Sequence, residues 1–574
     1  MADQQKLNRE EIAKIEIGHT AIGRRVAWVL VIIFIFTIFS VPIVQHVYEF
    51  AQHRWGGRES AVPQCYDILA SVPKALDATR GDDLALVDRV MAADRVLLRD
   101  MKEYEDQLKD ESLLAKTMLP PAQSLLTPLG LGNEKAYCGR DGWLFYRPGI
   151  DYLIGPPFLG SKQLARRAAT GTEWKPAPQP DPRKAVAQFK KQLASRGIKL
   201  IVMPTPTKIM IHPEKFSRAC DNQKVALQNP SYPEFTRELE RQGVLVFDVA
   251  QAVMDAKWLT GQPQYLETDT HWRPETMELV AQQLKDFITT HVNLPPVKAP
   301  GYKRETQQVI NLGDIATMLK LPDDQTIFRK QTATIQQVLT TRNQLWQASG
   351  SAGEGLADVL LLGDSFSNVY SLESMGWGES AGLVEQLSFL MQRPVDRMVR
   401  NDDGAFATRQ MLSRELARGR DRLAGKKVVI WQFAARELAV GDWKLIDMIL
   451  GVKPPSLFIA PEPGKPMTVS GTIQALSAPP KPGTVAYKDH IIAFHLTDLE
   501  NEKGPMQGAQ AMVYVWSMRN NKWTPAARYR PGAKLKLRLR AWAEVSEKYD
   551  AINRAELDDA ALQLEEPCWG EEIK

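Results

Sequence analysis

Asp269 and His271 lie two positions apart in the run Asp269-Thr270-His271-Trp272, which sets a carboxylate beside an imidazole. A serine stands in the run Gly363-Asp364-Ser365-Phe366-Ser367, shortly after four apolar residues, Val359 to Leu362. Such a run reads as a buried strand. A serine at the carboxyl end of that strand, followed by a helix start, presents its hydroxyl at the sheet edge with its own N–H free to stabilise an oxyanion. Ser365 as nucleophile, His271 as base and Asp269 as orienting acid are the groups that acyl transfer through a covalent ester requires. His271 is the only one of the eight histidines with a carboxylate two residues before it. A lone histidine is more often structural, and Ser365 alone would serve as a helix cap. The two motifs together favour chemistry. Asp364 is expected to anchor the turn, Trp272 to pack the loop, and Ser367 and Asn368 to hydrogen-bond around them.

Positioning these groups requires a sheet. From Cys138 to Gly451, strand-like runs (Leu200 to Met203, Val244 to Phe247, Val359 to Leu362, Lys427 to Phe433) alternate with helical stretches near Pro233 to Gln242 and Pro274 to Ile288. This alternation implies a parallel sheet sandwiched by helices, an α/β fold. Composition changes at Lys453-Pro454-Pro455. Beyond it, Thr468 to Ala475, Tyr487 to Thr497, Met512 to Met518 and Lys534 to Ala541 read as strands of a small all-β domain, with Asn520-Asn521 as a hairpin turn. Trp516 and Trp523 in this tail are candidates for stacking on sugar rings, although aromatics in a small β domain are more often core.

Three further stretches, with the two motifs, carry a resemblance. Gly139 to Phe145 (Gly-Arg-Asp-Gly-Trp-Leu-Phe), Ile201 to Lys208 with His212-Pro213-Glu214, and Val428 to Phe433 with Arg436-Glu437-Leu438 resemble successive segments of the AlgJ/AlgX alginate O-acetyltransferase family. In that family an SGNH-hydrolase-like domain carries its Asp-x-His motif before its serine motif, whereas ordinary SGNH esterases place the serine first. The resemblance spans roughly residues 135 to 450. It implies a Ser365-His271-Asp269 triad, no cofactor, a polysaccharide acceptor, membership of a polysaccharide synthesis and export complex, and a membrane-bound O-acyltransferase partner that supplies acetyl groups. It also implies a second oxyanion donor in the region of Arg400-Asn401, where SGNH enzymes keep an asparagine. Arg397 and Arg393 are the rivals. A member of that family pairs its catalytic domain with a carbohydrate-binding module, but this tail shows no motif that matches it. Deacetylation by the same triad, or a non-catalytic polysaccharide-binding role, stays open, as does the polymer (alginate, cellulose or another).

Residues Val26 to Val44 form an uncharged apolar stretch long enough to cross a bilayer as a helix. Lys6, Arg9, Lys14, Arg24 and Arg25 before it outweigh Arg54 and Arg58 after it, so the positive-inside rule predicts an N-terminus in the cytoplasm. An uncleaved single-pass anchor in the inner membrane, with a periplasmic catalytic domain, is favoured over a signal peptide, because no small-x-small cleavage site follows. The expected layout is therefore 1–25 cytoplasmic, 26–45 transmembrane, 46–130 a helical stalk or packing region, 131–452 catalytic and 453–574 β-rich. Val87, Val90, Leu97, Met101, Tyr104 and Leu108 suggest an amphipathic helix over 84–115, closed by Pro120-Pro121.

In an oxidising compartment Cys65, Cys138, Cys220 and Cys568 permit three pairings. Cys138 with Cys220 is the pair expected, since both lie in the catalytic region. Their spacing fits no CxxC redox or zinc motif. His490 and His495 fall on opposite faces of a strand, so no metal site is expected there. The chain has 72 basic against 68 acidic residues, a balance that argues against nucleic acid as a partner. At 574 residues it requires two or three domains.

Overall fold

The computed structural model describes residues 23–54, scattered positions between 66 and 105, and 112–574 apart from 172–175, 349–356, 452–456, 486, 558, 560 and 574. Two compact units are present, residues 1–120 and 121–574.

In the first unit, helix α1 (Arg24–Arg54) is long and apolar enough to cross a membrane, and none of its most apolar window is buried. A signal sequence would satisfy the same criterion. The basic residues before Arg24, Cys65 and Leu108 lie outside the described residues, whereas Val87, Val90, Leu97, Met101 and Tyr104 of the 84–115 stripe are all helical. Pro120 and Pro121 do not close that segment: both fall inside a helix, Leu113–Leu126.

The second unit is built on a five-stranded parallel sheet. Its strands are β1 (Lys199–Thr205), β2 (Leu245–Val246), β3 (Val359–Gly363), β4 (Asp396–Val399) and β5 (Val428–Ala434), in the spatial order β2-β1-β5-β3-β4. Ile201, Ile430, Leu361 and Arg397 are register partners across four of them. β3 is buried at every position, as a strand covered on both faces must be. The covering helices start where the sequence allows it. Asp181 accepts from the Arg183 N–H at 3.0 Å and Pro182 opens α2 (Pro182–Ala194). After α3 (Tyr232–Arg241), Pro274 opens α4 (Pro274–His291) in the same way. Phe189 and Leu193 of α2, Phe235 and Leu239 of α3, and Val280 and Leu284 of α4 share one core with the sheet. The SGNH-like α/β sandwich is therefore the observed architecture. An antiparallel pair, Lys303–Asn311 with Gln331–Leu339, is inserted before β3 and was not foreseen in the sequence.

The tail strands are β6 (Met467–Leu476), β7 (His490–Asn501), β8 (Ala511–Arg519), β9 (Lys534–Ala541), β10 (Arg554–Ala555) and β11 (Pro567–Glu572). The order β7-β6-β9-β11-β8 closes on itself through β8 pairing with β7, so the domain is barrel-like. Leu537 and Leu539 of β9 are buried, whereas Lys534, Lys536 and Arg538 are exposed, the alternation expected of a half-buried strand. Asn520 and Asn521 both take positive φ and turn Arg519 back onto Lys522. Trp516 and Trp523 do not present open platforms. Trp516 packs edge to face on Tyr549 and Trp569, with Arg519 over its ring at 4.2 Å. Trp523 donates to the Pro480 carbonyl at 2.9 Å and packs with Met375, Tyr487 and Met518. Both rings close the domain.

Candidate active site

Ser365 begins a short helix, α6 (Ser365–Asn368), directly after β3, with α5 (Asp314–Met318) preceding it in the chain. Asp364 is the N-cap. Its Oδ1 accepts from the Phe366 N–H at 2.9 Å and from Gln432 Nε2 at 2.8 Å, and its Oδ2 accepts from the Ala434 N–H at 2.7 Å. The turn is thereby tied to β5 at two points. Gln432 Oε1 in return accepts from the Asp364 N–H at 2.9 Å. Ser367 Oγ donates to the Asp364 carbonyl at 2.8 Å. The Phe366 and Ser367 amides are thus occupied, and the Ser365 amide has no acceptor among the described residues. That is the arrangement an oxyanion hole requires. Gly363 is needed for this packing, because a Cβ there would fall 2.2 Å from Ser367 Oγ and 2.7 Å from Leu361 Cδ2.

The Asp269–His271 loop folds back on itself: Leu266 N–H donates to the His271 carbonyl at 3.1 Å and Arg273 N–H to the Gln264 carbonyl at 2.9 Å. Asp269 Oδ1 accepts from His271 Nδ1 at 2.7 Å and from the His271 N–H at 3.0 Å. Its Oδ2 accepts from Trp377 Nε1 at 2.8 Å and from the Asp314 N–H at 3.0 Å. Burial alone would raise the Asp269 carboxyl, but the His271 hydrogen bond and charge, with the Trp377 and backbone donors, hold it below the usual carboxylate range. Burial likewise pushes His271 down. The hydrogen bond and charge of Asp269, then the charges of Asp314 and Asp364, outweigh that and raise it. Nδ1 therefore carries the proton toward Asp269, and Nε2 is buried with no partner.

The two motifs pack directly. The His271 and Phe366 rings are 5.0 Å apart, Trp272 Nε1 donates to the Phe366 carbonyl at 3.1 Å, and Tyr370 OH donates to the Trp272 carbonyl at 2.6 Å. Trp272 is a packing residue, as its sequence position suggests. Ser365 and His271 are 3% and 1% exposed, so both side chains sit in a low-dielectric environment where dipoles and charges act strongly.

The four candidates for a second oxyanion donor separate cleanly. Arg393 pairs with Asp358, which precedes β3, and donates to the Pro295 carbonyl, so it lies at the opposite edge of the sheet. Arg397 sits mid-strand on β4 and pairs with Glu385 at 2.6 Å. Arg400 donates its N–H to the Gly363 carbonyl, but its guanidinium turns away to the Arg554 carbonyl at 2.7 Å. Asn401 remains beside the serine helix: its Oδ1 accepts from Asn368 Nδ2 at 2.9 Å, and its Nδ2 is buried without a partner. Asn368 is three residues after Ser365 and shares its helix face. Cys138 and Cys220 both carry free thiols, so the expected pairing is not formed; burial raises the Cys138 thiol.

Several residues of the site are absent from the sequence-based set. Asp314, drawn in by α5, accepts from the Thr270 N–H at 2.6 Å; its buried carboxyl is raised by desolvation and by the charge of Asp269. Lys208 is buried, and its ammonium donates to the Leu144 and Glu267 carbonyls at 2.8 and 3.0 Å; desolvation lowers its pKa. A single lysine in the apolar stretch Ile201 to Ile211 was a legible signal for it. Lys208, Thr270 and Arg436 line a narrow cleft with Phe145, Tyr146 and Ile315. Asp269, His271 and Asp314 place three possible metal-ligand atoms within 4.8 Å of one another. However, the Nδ1–Oδ1 pair at 2.7 Å is a hydrogen bond, and Asp269 already has four donors.

The sequence of the family described as "SGNH hydrolase-like domain, acetyltransferase AlgX" matches residues 136–435, just over half of the chain. Among curated proteins, the probable alginate O-acetylase AlgJ of Pseudomonas aeruginosa is 29% identical over 196 residues, covering 33% of this chain and 42% of that protein. The same-named protein of Azotobacter vinelandii is 24% identical over 247 residues, covering 42% and 56%. The chain thus spans about half the length of these relatives. Among solved structures, the O-acetyltransferase domain of Pseudomonas putida AlgJ superposes with a TM-score of 0.39 at 18% identity, over 53% of this chain and 92% of that one. Pseudomonas aeruginosa AlgX gives 0.36 at 16%, over 70% and 90%. With the Asp-x-His and serine motifs and the sheet that carries them inside the matched region, the chain belongs to the AlgX-type family of SGNH-hydrolase-like acetyltransferase domains.

Proposed function

We propose that this chain is a membrane-anchored O-acetyltransferase that transfers acetyl groups to hydroxyls of an exported polysaccharide. The observation that carries the reading is the buried Asp269–His271 pair, with Nε2 unpartnered, packed against the turn that presents Ser365. Ser365 Oγ attacks the acetyl carbonyl carbon of a donor ester while His271 Nε2 takes its proton. The Ser365 N–H and Asn401 Nδ2 stabilise the oxyanion, and collapse expels the donor alcohol, which receives the proton. A sugar hydroxyl then gives its proton to Nε2 and attacks the acetyl-serine, which releases the O-acetyl sugar and restores Ser365. Asp269 holds the imidazole tautomer and stabilises the imidazolium.

Helix α1 as an uncleaved anchor, N-terminus inside, would keep this site outside the cytoplasm and beside a membrane-bound O-acyltransferase that supplies acetyl groups. The family membership and the name of the AlgJ relatives, alginate O-acetylase, support a polysaccharide acceptor; membership of a synthesis and export complex is part of the proposal.

The test is acyl-enzyme capture. Incubation with an activated acetyl ester is expected to add one acetyl group, on the Ser365 peptide, and Ser365→Ala is expected to abolish it. Oligosaccharide should release the acetyl faster than water does. Release that sugar fails to accelerate would make the enzyme an esterase, and full turnover in Ser365→Ala would reject both readings.

A further inference from the structure

We propose that the tail β domain is a working part of the catalytic machinery, with Asn553 as the positioning residue that sets Asn401 for its contact with the oxyanion. The inference rests on the reading of Asn401 as the second oxyanion donor.

The loop after β4 begins with Arg400, whose N–H donates to the Gly363 carbonyl at 3.0 Å, two residues before Ser365. One backbone bond to the serine strand does not fix the direction of the Asn401 side chain. The tail domain supplies the rest. The Asn401 N–H donates to Asn553 Oδ1 at 2.9 Å, Arg400 Nη1 donates to the Arg554 carbonyl at 2.7 Å, and Tyr487 OH donates to Asp402 Oδ2. Three consecutive loop residues are therefore each held by a different group of the tail. Asn401 Oδ1 is held from the other side by Asn368, which leaves Nδ2 as the one donor of that side chain to be used.

The tail groups are themselves rigid. Asn553 is 1% exposed, and its carbonyl accepts from the Ile491 N–H at 3.0 Å. It immediately precedes β10, which pairs in parallel with β7. Arg554 is fixed by Asp550 at 3.1 Å and Glu556 at 3.2 Å. Tyr487 stacks on His490, whose Nδ1 pairs with Ser517 Oγ at 2.8 Å. Preorganised donors stabilise an oxyanion because their dipoles need not reorganise as charge develops. A donor on a loop gains that property only when a rigid element holds the loop. Here that element is the barrel edge.

The experiment uses the full chain and steady-state turnover of an activated acetyl ester. Asn553→Ala is expected to lower kcat about 10- to 100-fold with KM changed less than about twofold, the signature of an interaction made in the transition state. Asn553→Asp, which keeps an acceptor for the Asn401 N–H, is expected to recover most of the loss. The Asn401→Ala/Asn553→Ala double variant should be no slower than Asn401→Ala, because the two act as a unit. Wild-type kcat in Asn553→Ala, or losses that multiply in the double variant, would overturn the inference. Should Asn553→Ala fail to accumulate folded, Tyr487→Phe removes another of the three ties while keeping the ring; it must lower kcat with KM held, and an unchanged kcat again overturns the inference. Failure of the underlying reading looks different: Asn401→Ala at the wild-type rate while Ser365→Ala is inactive removes Asn401 from the oxyanion hole.

Discussion

Trp377 Nε1 donates to Asp269 Oδ2 at 2.8 Å across 108 residues of chain, so the carboxylate proposed to orient His271 is itself held by an indole from the segment after the serine helix. Asp269 is 2% exposed, and each of its four donors compensates the desolvation of its charge. Trp377→Phe keeps most of the ring and removes one donor. A hydrogen bond to a buried charge contributes about 1.5–3 kcal/mol, so denaturant unfolding should register a loss of that size. Turnover should fall about tenfold, because the carboxylate that sets His271 is less firmly placed. Unchanged stability would show that the indole only fills space.

The pH dependence follows from His271. Its imidazole must be neutral to take the Ser365 proton, and its net shift is upward. Activity should therefore fall as pH falls through a value above the ordinary histidine pKa of about 6.5. Asp314→Asn removes one of the carboxylates that raise it, so the acid limb should move to lower pH. A group whose folded pKa is raised lends stability that is fully present below its unfolded pKa and is lost as pH rises through the folded one. The inactive, protonated enzyme is thus folded, and activity lost on mild acidification should return on neutralisation. A limb below 6.5, or one that Asp314→Asn leaves in place, contradicts the assignment.

Local features were legible in the sequence. β3, the alternating strand β9, the Asn520-Asn521 turn and the Asp-x-His and serine motifs each follow from a few consecutive residues; the anchoring role of Asp364 was legible too, but the helix cap that the sequence offers to Ser365 is filled by Asp364 itself. Contacts that close over long sequence separations were not. Asp314, Trp377 and Asn553 reach the site from 45, 108 and 152 residues away along the chain from their partners, and no local pattern marks them. The sequence left the tail aromatics open between core and sugar stacking for the same reason: a tryptophan reads the same whether its ring faces a sugar or packs, as that of Trp516 does, on Tyr549 and Trp569. The four basic and amide candidates near β4 look alike in sequence, and only the direction of each side chain separates them.

Asp364 offers a test of the turn apart from the chemistry. Alanine there removes the acceptor of the Phe366 and Ala434 amides and of Gln432 Nε2. Loss of an N-cap with buried donors left unsatisfied should cost about 2–4 kcal/mol, read as a lower urea midpoint. Asp364→Asn should also be impaired, because an amide group would set a donor against one of these donors. Stability near wild type in both variants would mean that β5 holds the turn without Asp364.

Gly363 is the tightest point of the serine turn. A Cβ at this position would lie 2.2 Å from Ser367 Oγ, 2.7 Å from Leu361 Cδ2 and 3.1 Å from Gln432 Oε1. The backbone there is not left-handed, so the glycine serves close approach and not an unusual φ. Gly363→Ala must push Ser367 or the strand aside, and Ser367 Oγ is bonded to the Asp364 carbonyl directly before Ser365. A displacement of the nucleophile by about 1 Å can cost roughly 100-fold in rate. Gly363→Ala should therefore fold, retain the far-ultraviolet circular dichroism of the parent and lose about two orders of magnitude in acetyl-serine formation. Ser367→Ala in the same chain removes the closest of the three atoms and should restore part of that rate. If the double variant is as slow as Gly363→Ala, the obstruction lies with Leu361 and the strand itself.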